Sequence, residues 1–295
     1  MTSRSAFRRR VRQRPVILMP GVANPLSALI AADLGYEALY VTGAGVSNFN
    51  LGLPDIGLLS LDDVCSAVMA IRHVVDLPLV VDADTGFGSA VNAHHSVRRL
   101  EAAGANAIQL EDQVFPKKCG HFDGKAVIPA AEMVDKVKAA VDARRDPGTM
   151  IVARTDARAT HGFEAAIDRA AAFAEAGADI LFVEALTSEE EVRRTPELLG
   201  GVPLIMNIVF GGKTPPLPLA ELEAIGYRFA LYANAALQSA MWGMQHVLGE
   251  LKRTGSLEGT DKLASFAERQ RIIRKADFDA LERRFARPAL EDAAE

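Results

Sequence analysis

Eight short, β-branched apolar runs, each followed by a stretch with helical periodicity, recur from one end of the chain to the other. No other feature limits the possible folds so far, because this rhythm is that of parallel βα units. The runs predict strands over residues 16–19, 38–42, 79–82, 107–111, 150–154, 180–184, 204–208 and 229–232. They are nearly continuous apolar stretches rather than alternating ones, as strands covered on both faces are. Between them, Asn24 before Pro25, Ser60 followed by Asp63, and Ser188 followed by Glu191 offer side-chain oxygens to the unpaired amides of helix starts. The alanine-rich stretch 165–176 adds helix propensity. Eight such units in about 240 residues predict an α/β fold, a closed (β/α)8 barrel of the TIM type. A doubly wound open sheet would stop at about five or six strands and carry a glycine-rich phosphate turn after an early one, which this chain lacks.

The boundaries expected are a barrel domain over residues 1–255 and a helical segment over 256–295. A long helix is predicted over 237–253, and beyond it an amphipathic tail carries Leu263, Phe266, Ile272, Ile273, Phe278, Leu281 and Phe285. That tail exceeds what one barrel needs, so it is expected to pack on a partner subunit.

Composition narrows the function. With 49% hydrophobic and 24% charged residues and a net charge of -5, the chain is neither disordered nor a nucleic-acid binder by charge. Its two cysteines, Cys65 and Cys119, are too few for a disulfide framework and point to a reducing cytoplasm. The most apolar early stretch, residues 16–34, is broken by Pro20, Gly21, Asn24, Pro25 and Asp33, which excludes a membrane span there. Residues 1–14 hold six arginines and no acid, and are read as a solvated basic helix rather than a transit peptide.

If the strands are placed correctly, their C-terminal ends carry an unusual set of polar groups, at the mouth where barrels keep their sites. Thr42 and Gly43 follow strand 2, Asp82 and Asp84 strand 3, Glu111 and Asp112 strand 4, Arg154 and Asp156 strand 5, Glu184 strand 6, and Asn207 lies in strand 7. A single aspartate there is more readily a salt bridge or helix cap. So many acids converging imply a bound cation or several basic partners, because each would be costly to bury alone. Oxygen donors without a His or Cys pair at zinc spacing point to a hard ion, Mg²⁺ or Mn²⁺, with Asp84 the first choice for direct ligand.

The longest connection without helical pattern, residues 113–129, follows strand 4 and is too long for an ordinary βα loop, which makes it a candidate lid. Lys117, Lys118, Cys119, Gly120 and His121 crowd its centre. Neighbouring cations favour the thiolate of Cys119 and make it a proton donor or nucleophile near neutral pH. Gly120 and Gly124 provide backbone freedom for closure. Cys65 lies among Val64, Val68 and Met69 and is read as a core filler. His73, His94, His95 and His246 are read as helix residues without catalytic partners, and Trp242 with Met241 and Met244 as packing.

At these residues the chain resembles the isocitrate lyase and phosphoenolpyruvate mutase superfamily, from Pro20 to about Phe285. The motifs are YVTGAG (Tyr40 to Gly45), LGLPD (Leu51 to Asp55), VDADTGFG (Val81 to Gly88), EDQ (Glu111 to Gln113), KKCGH (Lys117 to His121) and ARTDA (Ala153 to Ala157). The resemblance implies a barrel whose last helix is exchanged between subunits, in dimers or tetramers. KKCGH looks like the lyase branch, since the mutase branch carries an Asn-Ser pair there. That branch implies carbon–carbon cleavage with Mg²⁺ held by Asp84 directly and by Asp82 and Glu111 through water. By the same resemblance Cys119 is the general acid, and Arg154 and His121 stabilise developing negative charge. The backbone of Thr42, Gly43 and Ala44, the side chain of Asn207 and the lid residue Gly120 bind substrate, and Asp55, Lys117 and Glu184 match further site positions.

Two departures bear on the substrate. Where methylisocitrate lyases place an arginine for the third carboxylate, the matching position is Gln238. After Asn207 come Ile208, Val209 and Phe210, then GGKTP, which looks more like the dimethylmalate lyase branch and related oxaloacetate-cleaving members. A pocket that loses a cation and gains apolar side chains disfavours a third carboxylate. The expectation is a small 2-hydroxy dicarboxylate of the 2,3-dimethylmalate type, cleaved to a 2-oxo acid such as pyruvate and a carboxylic acid. Methylisocitrate stays open if Arg228 or Lys213 supplies the missing charge. Oxaloacetate decarboxylation or hydrolysis, phosphonopyruvate chemistry and a non-catalytic assembly role stay open as well.

Overall fold

The computed structural model describes residues 3–118, 120 and 124–286. Its eight strands are β1 (Ile17–Val22), β2 (Leu39–Val41), β3 (Leu79–Asp82), β4 (Ala107–Glu111), β5 (Met150–Thr155), β6 (Ile180–Val183), β7 (Leu204–Asn207) and β8 (Phe229–Tyr232). All pair in parallel in sequence order, and β8 returns to β1 to close the barrel. The predicted strands are all present, within a few residues. The helices are α1 (Ser3–Arg10), α2 (Pro25–Asp33), α3 (Gly43–Val46), α4 (Leu61–Val74), α5 (Ala90–Ala103), α6 (Ala130–Ala143), α7 (Ala157–His161), α8 (Phe163–Glu175), α9 (Glu189–Leu198), α10 (Leu219–Ile225), α11 (Ala235–Thr254), α12 (Phe266–Ile272) and α13 (Lys275–Phe285). None of the described helices is long and apolar enough to cross a membrane.

The predicted caps form. Asn24 accepts from the Ser27 amide at 2.9 Å, the Ser60 hydroxyl accepts from Asp63 N at 3.2 Å, and Ser188 accepts from Glu191 N at 3.1 Å. They fix where α2, α4 and α9 begin, and so how each chain segment leaves the strand end before it.

Inside the barrel, Met19, Tyr40, Val80, Val152, Phe182 and Leu231 belong to one buried cluster; the strands' outward faces join a larger cluster with the helices. Cys65 is buried in this outer layer, and burial pushes its thiol up, as a core filler requires. The basic N-terminus is not a solvated arm. Phe7 and Val11 of the first segment are buried in the inner cluster, and the Phe7 ring meets Phe229 edge-on at 6.2 Å. The arginines hold this plug at the barrel's floor: Arg4 donates to the carbonyl oxygens of Ala105 and Glu101, Arg8 pairs with Asp179, and Arg10 pairs with Glu37 at 2.8 Å. Apolar residues spaced among the arginines are what turn a basic helix inward.

Backbone proximity divides the chain into two compact units, Met1–Ala240 and Met241–Glu295. In the second, Trp242, Leu248, Phe266, Phe278, Leu281 and Phe285 are exposed, and the Trp242 ring lies 4.0 Å from that of His246.

Candidate active site

Strand register sets the site. Across β4 and β5, Glu111 stands opposite Arg154; across β3 and β4, Asp82 stands opposite Gln109. Because the strands are parallel and closed, residues that end them arrive at one rim. There a cavity of about 40 Å³ is lined by Tyr40, Thr42, Ala44, Asp55, Asp82, Glu111, Lys117, Lys118, Gly120, Arg154, Phe182, Glu184, Asn207, Val209, Leu231, Ala233 and Asn234. Most of the residues expected to carry chemistry are thus together.

Asp84 sits just behind this lining with φ 47°, and Ala185, next to Glu184, has φ 57°. Both are left-handed conformations that a non-glycine residue adopts at a cost, here at strand ends that face the site. Asp84 N donates to Asp82 Oδ1 at 3.1 Å, and Gln109 Nε2 donates to the same oxygen at 3.2 Å. Gly43 explains the bare backbone of YVTGAG: a Cβ there would lie 3.2 Å from both Asp82 Oδ2 and Asp84 Oδ1. The two carboxylates therefore converge where α3 begins.

Burial governs the charges. It pushes the Asp84 carboxyl up to about 7, helped by Asp82 and Asp55 and opposed by Lys117, whose ammonium is 2.9 Å away. Glu111 is likewise driven well above the carboxylate range by burial, against the pull of Arg154. Desolvation would lower Lys117, but Asp84, Glu111, Asp82 and Asp55 more than reverse it, so this buried lysine stays charged and also pairs with Asp55. Arg154 is held charged in the same way against its own burial. Its guanidinium reaches Asp156 at 2.9 Å, Glu184 at 3.2 Å and Glu111 at 3.3 Å, above the Phe182 ring.

Do these residues suit a hard divalent ion? Four carboxylates and three cations line the cavity, with Asp84 beside it, and Glu111 Oε1 is buried without a hydrogen-bond partner. The donors are oxygens, and their excess negative charge is what a hard cation compensates. Among the described residues no three His, Cys, Asp or Glu side chains close around one point. The oxygen donors and the excess of acids over cations fit such an ion.

Two acids leave the expected cluster. Asp112 accepts from the Thr155 hydroxyl at 2.7 Å and from Asp156 N at 2.8 Å, and pairs with Arg169. Asp156 is pushed up by burial, but Arg154 and Lys125 overcome this and hold it below the ordinary carboxylate range. Both are structural partners of the cations.

The loop after β4 is folded over the rim. Its ends pair through Gln113 and Val127, and the Gln113 amide grips Lys118 at both its N–H and its carbonyl. Gly120 lies against Arg154 and Glu184, where a Cβ would collide. Lys125 ties the Gly120 carbonyl to Asp156. Cys119 and His121 lie outside the described residues.

At the opposite wall the outcome differs from the expectation. Gln238 is exposed on α11 and does not line the cavity; Asn234, one turn earlier, does. Of Ile208, Val209 and Phe210 only Val209 faces the cavity, while Phe210 is 89% exposed. Arg228 is excluded as a replacement cation, because it precedes β8 and so stands at the barrel's floor with Arg12. Lys213 lines a separate pocket with Lys125 and Arg158. Sequence reasoning missed Tyr40, whose hydroxyl donates to Gln109 Oε1 at 2.9 Å, together with Phe182 and Asn234 as site residues. Tyr40 and Phe182 are apolar strand residues by pattern, and only closure shows that they point inward.

The model of the phosphoenolpyruvate phosphomutase family matches residues 7–252. A 2,3-dimethylmalate lyase of Eubacterium barkeri is 43% identical over 269 residues, 91% of this chain and 93% of that protein. A 2-methylisocitrate lyase of Aeropyrum pernix is 43% identical over 286 residues, 97% and 92% of the two chains. A crystal structure of 2,3-dimethylmalate lyase superposes with a TM-score of 0.91 at 31% identity, covering 100% of this chain and 99% of that one. A phosphonopyruvate hydrolase solved with oxalate and Mg²⁺ superposes at 0.87 with 30% identity, covering 97% and 99%.

Proposed function

The chain belongs to the phosphoenolpyruvate mutase and isocitrate lyase family, and from that premise we propose that it cleaves the C2–C3 bond of a 2-hydroxy dicarboxylic acid of the 2,3-dimethylmalate type. The products are pyruvate or another 2-oxo acid and a carboxylic acid. One observation carries this reading: Arg154, Lys117, Asp82 and Glu111, with Asp84 paired to Lys117, meet at one side of a cavity whose other side carries Val209, Leu231 and Ala233 beside the amides of Asn207 and Asn234. Charged chemistry has a place at one end and an alkyl group at the other.

Asp84 directly, and Asp82 and Glu111 through water, would hold Mg²⁺ or Mn²⁺, which supplies positive charge that acidifies a substrate hydroxyl and orients the adjacent carboxylate. Thr42, Gly43 and Ala44 receive that carboxylate, and the buried Asn207, held by Glu184, faces it from across the cavity. Transfer of the hydroxyl proton to a carboxylate of the acidic wall, Asp82 or Glu111, lets C2 become a carbonyl carbon as the C2–C3 bond breaks and its electron pair passes to C3. Arg154, fixed by three carboxylates, needs no reorganisation to stabilise the negative charge that develops on the leaving carboxylate. Cys119 delivers its proton to C3, assisted by His121. Lys117, held between Asp55 and Asp84, keeps the lid's root at the metal-ligating wall.

Methylisocitrate is the second reading. It is favoured by the second relative's near-complete coverage and by Lys118, a further cation on the cavity lining. Release of 2-oxo acid with Mg²⁺ on 2,3-dimethylmalate, methylisocitrate, isocitrate, oxaloacetate and phosphonopyruvate tests both. Preference for dimethylmalate is expected; preference for methylisocitrate overturns the substrate, and turnover of oxaloacetate or phosphonopyruvate alone overturns the reaction. The exposed apolar residues of the C-terminal unit support self-association to a dimer or tetramer, the site supports action on a small metabolite, and the low cysteine count supports the cytoplasm.

A further inference from the structure

The geometry points to Asn234 as the residue that reads the end of the substrate farthest from the metal-ligating wall, and to that end being one carboxylate met by a neutral amide. This rests on the reading of the site as a 2-hydroxy acid lyase. Asn234 follows β8, and in a closed barrel of eight strands in sequence order β8 stands across from β4, which ends in Glu111. The amide and the acidic wall therefore bracket the cavity. Its Oδ1 is buried without a hydrogen-bond partner among the described residues. A buried amide left unpaired is costly, and such groups in native proteins generally have a partner in protein, water or ligand. Turning about its last torsion, the side chain presents either N–H2 or the oxygen, so it can donate to a carboxylate.

The chemistry of the neighbours narrows the ligand. Among the described residues, the cations on the cavity lining are Lys117, Lys118 and Arg154, from the lid and β5; no cation comes from β7 or β8. The distal wall instead carries the amides of Asn207 and Asn234 with apolar Val209 and Leu231. Asn207 Nδ2 gives one N–H to Glu184 at 3.2 Å and is oriented by it, which leaves Asn234 as the less constrained of the two amides on that side. An amide can hydrogen-bond a carboxylate but cannot neutralise one. The wall thus accepts a single carboxylate carried on an alkyl-substituted carbon and rejects a side arm with a further charge.

Kinetics of Asn234→Leu, Asn234→Asp and Asn234→Arg test this, with oxalate inhibition as the probe of the opposite wall and of intact folding. Asn234→Leu is expected to raise KM for the preferred dicarboxylate about tenfold to a hundredfold while kcat changes little. Asn234→Asp is expected to lose more, through like-charge repulsion, and Asn234→Arg to shift preference toward methylisocitrate. Oxalate inhibition stays unchanged in all three. Unchanged KM and unchanged preference in Asn234→Leu overturn the assignment. If the wild type binds oxalate but turns over no 2-hydroxy acid, the lyase reading fails on its own. Calorimetric binding of malate then decides for Asn234: weaker binding by Asn234→Leu supports it, and equal binding overturns it.

Discussion

At the scale of single residues, the site is built from groups whose burial is tolerable only in company. Asp84, Lys117 and Asp55 form one such set, and Arg154 with Glu111, Asp156 and Glu184 the other. Removing a member leaves its partners charged and desolvated, which is worse than never having built the pair. Asp84→Ala is therefore expected to abolish Mg²⁺-dependent turnover; full activity would remove Asp84 from the ligand role. Cys119→Ser is expected to lower turnover about a hundredfold or more while oxalate binding persists, and equal turnover would remove the general-acid role. Lys125→Met leaves buried Asp156 with Arg154 alone and frees the Gly120 carbonyl. It is expected to destabilise the protein by about 3 kcal/mol in denaturant unfolding, to speed hydrogen exchange over residues 113–129, and to be partly rescued by Lys125→Arg. The strand-end acids were legible because each closes a conspicuous apolar run. Lys125 and Asn234 were not, since what they touch depends on how a loop folds back and on which residue after β8 turns inward.

At the scale of elements, caps decide where helices start, and so where each strand-to-helix loop lies on the rim. The Asp63 carboxylate accepts from the Ser60 hydroxyl at 2.6 Å and from the Ser60 amide at 2.9 Å, and these bonds hold it below the ordinary carboxylate range. A carboxyl depressed in the folded state stabilises above its unfolded value, and that stability is lost as pH falls through the folded one. Ser60→Ala is expected to cost about 1 kcal/mol at neutral pH, shrinking in acid, as read from urea midpoints across pH; a loss that does not diminish in acid would separate the cap from the titration. The capping pattern was plain in the sequence because it is local. The N-terminal helix was misread for the opposite reason: six arginines dominate its composition, whereas Phe7 and Val11 decide its placement, and their pocket exists only once the barrel floor has formed.

At the scale of the whole molecule, the barrel accounts for the first unit and leaves the second with Phe266, Phe278, Leu281 and Phe285 facing outward. Clustered exposed apolar residues of this kind mark an interaction surface. On the proposed self-association, Phe278→Ser with Leu281→Ser is expected to shift the mass in sedimentation toward the monomer; an unchanged mass would remove this surface from that role. The eight-unit rhythm was visible in advance, because it depends on order along the chain.

The sequence by itself determined the number and order of the strands, the starts of the capped helices, and which residues stand at strand ends. These follow from short-range periodicity, propensity and capping. Only the tertiary structure decided which acids serve the cavity and which serve its cations, that Tyr40 and Phe182 face inward, that Arg228 stands at the floor, and that Asn234 rather than Gln238 lines the distal wall. Closure and register bring residues far apart in sequence to one rim, and the cost of burying charge then allots each of them its partner.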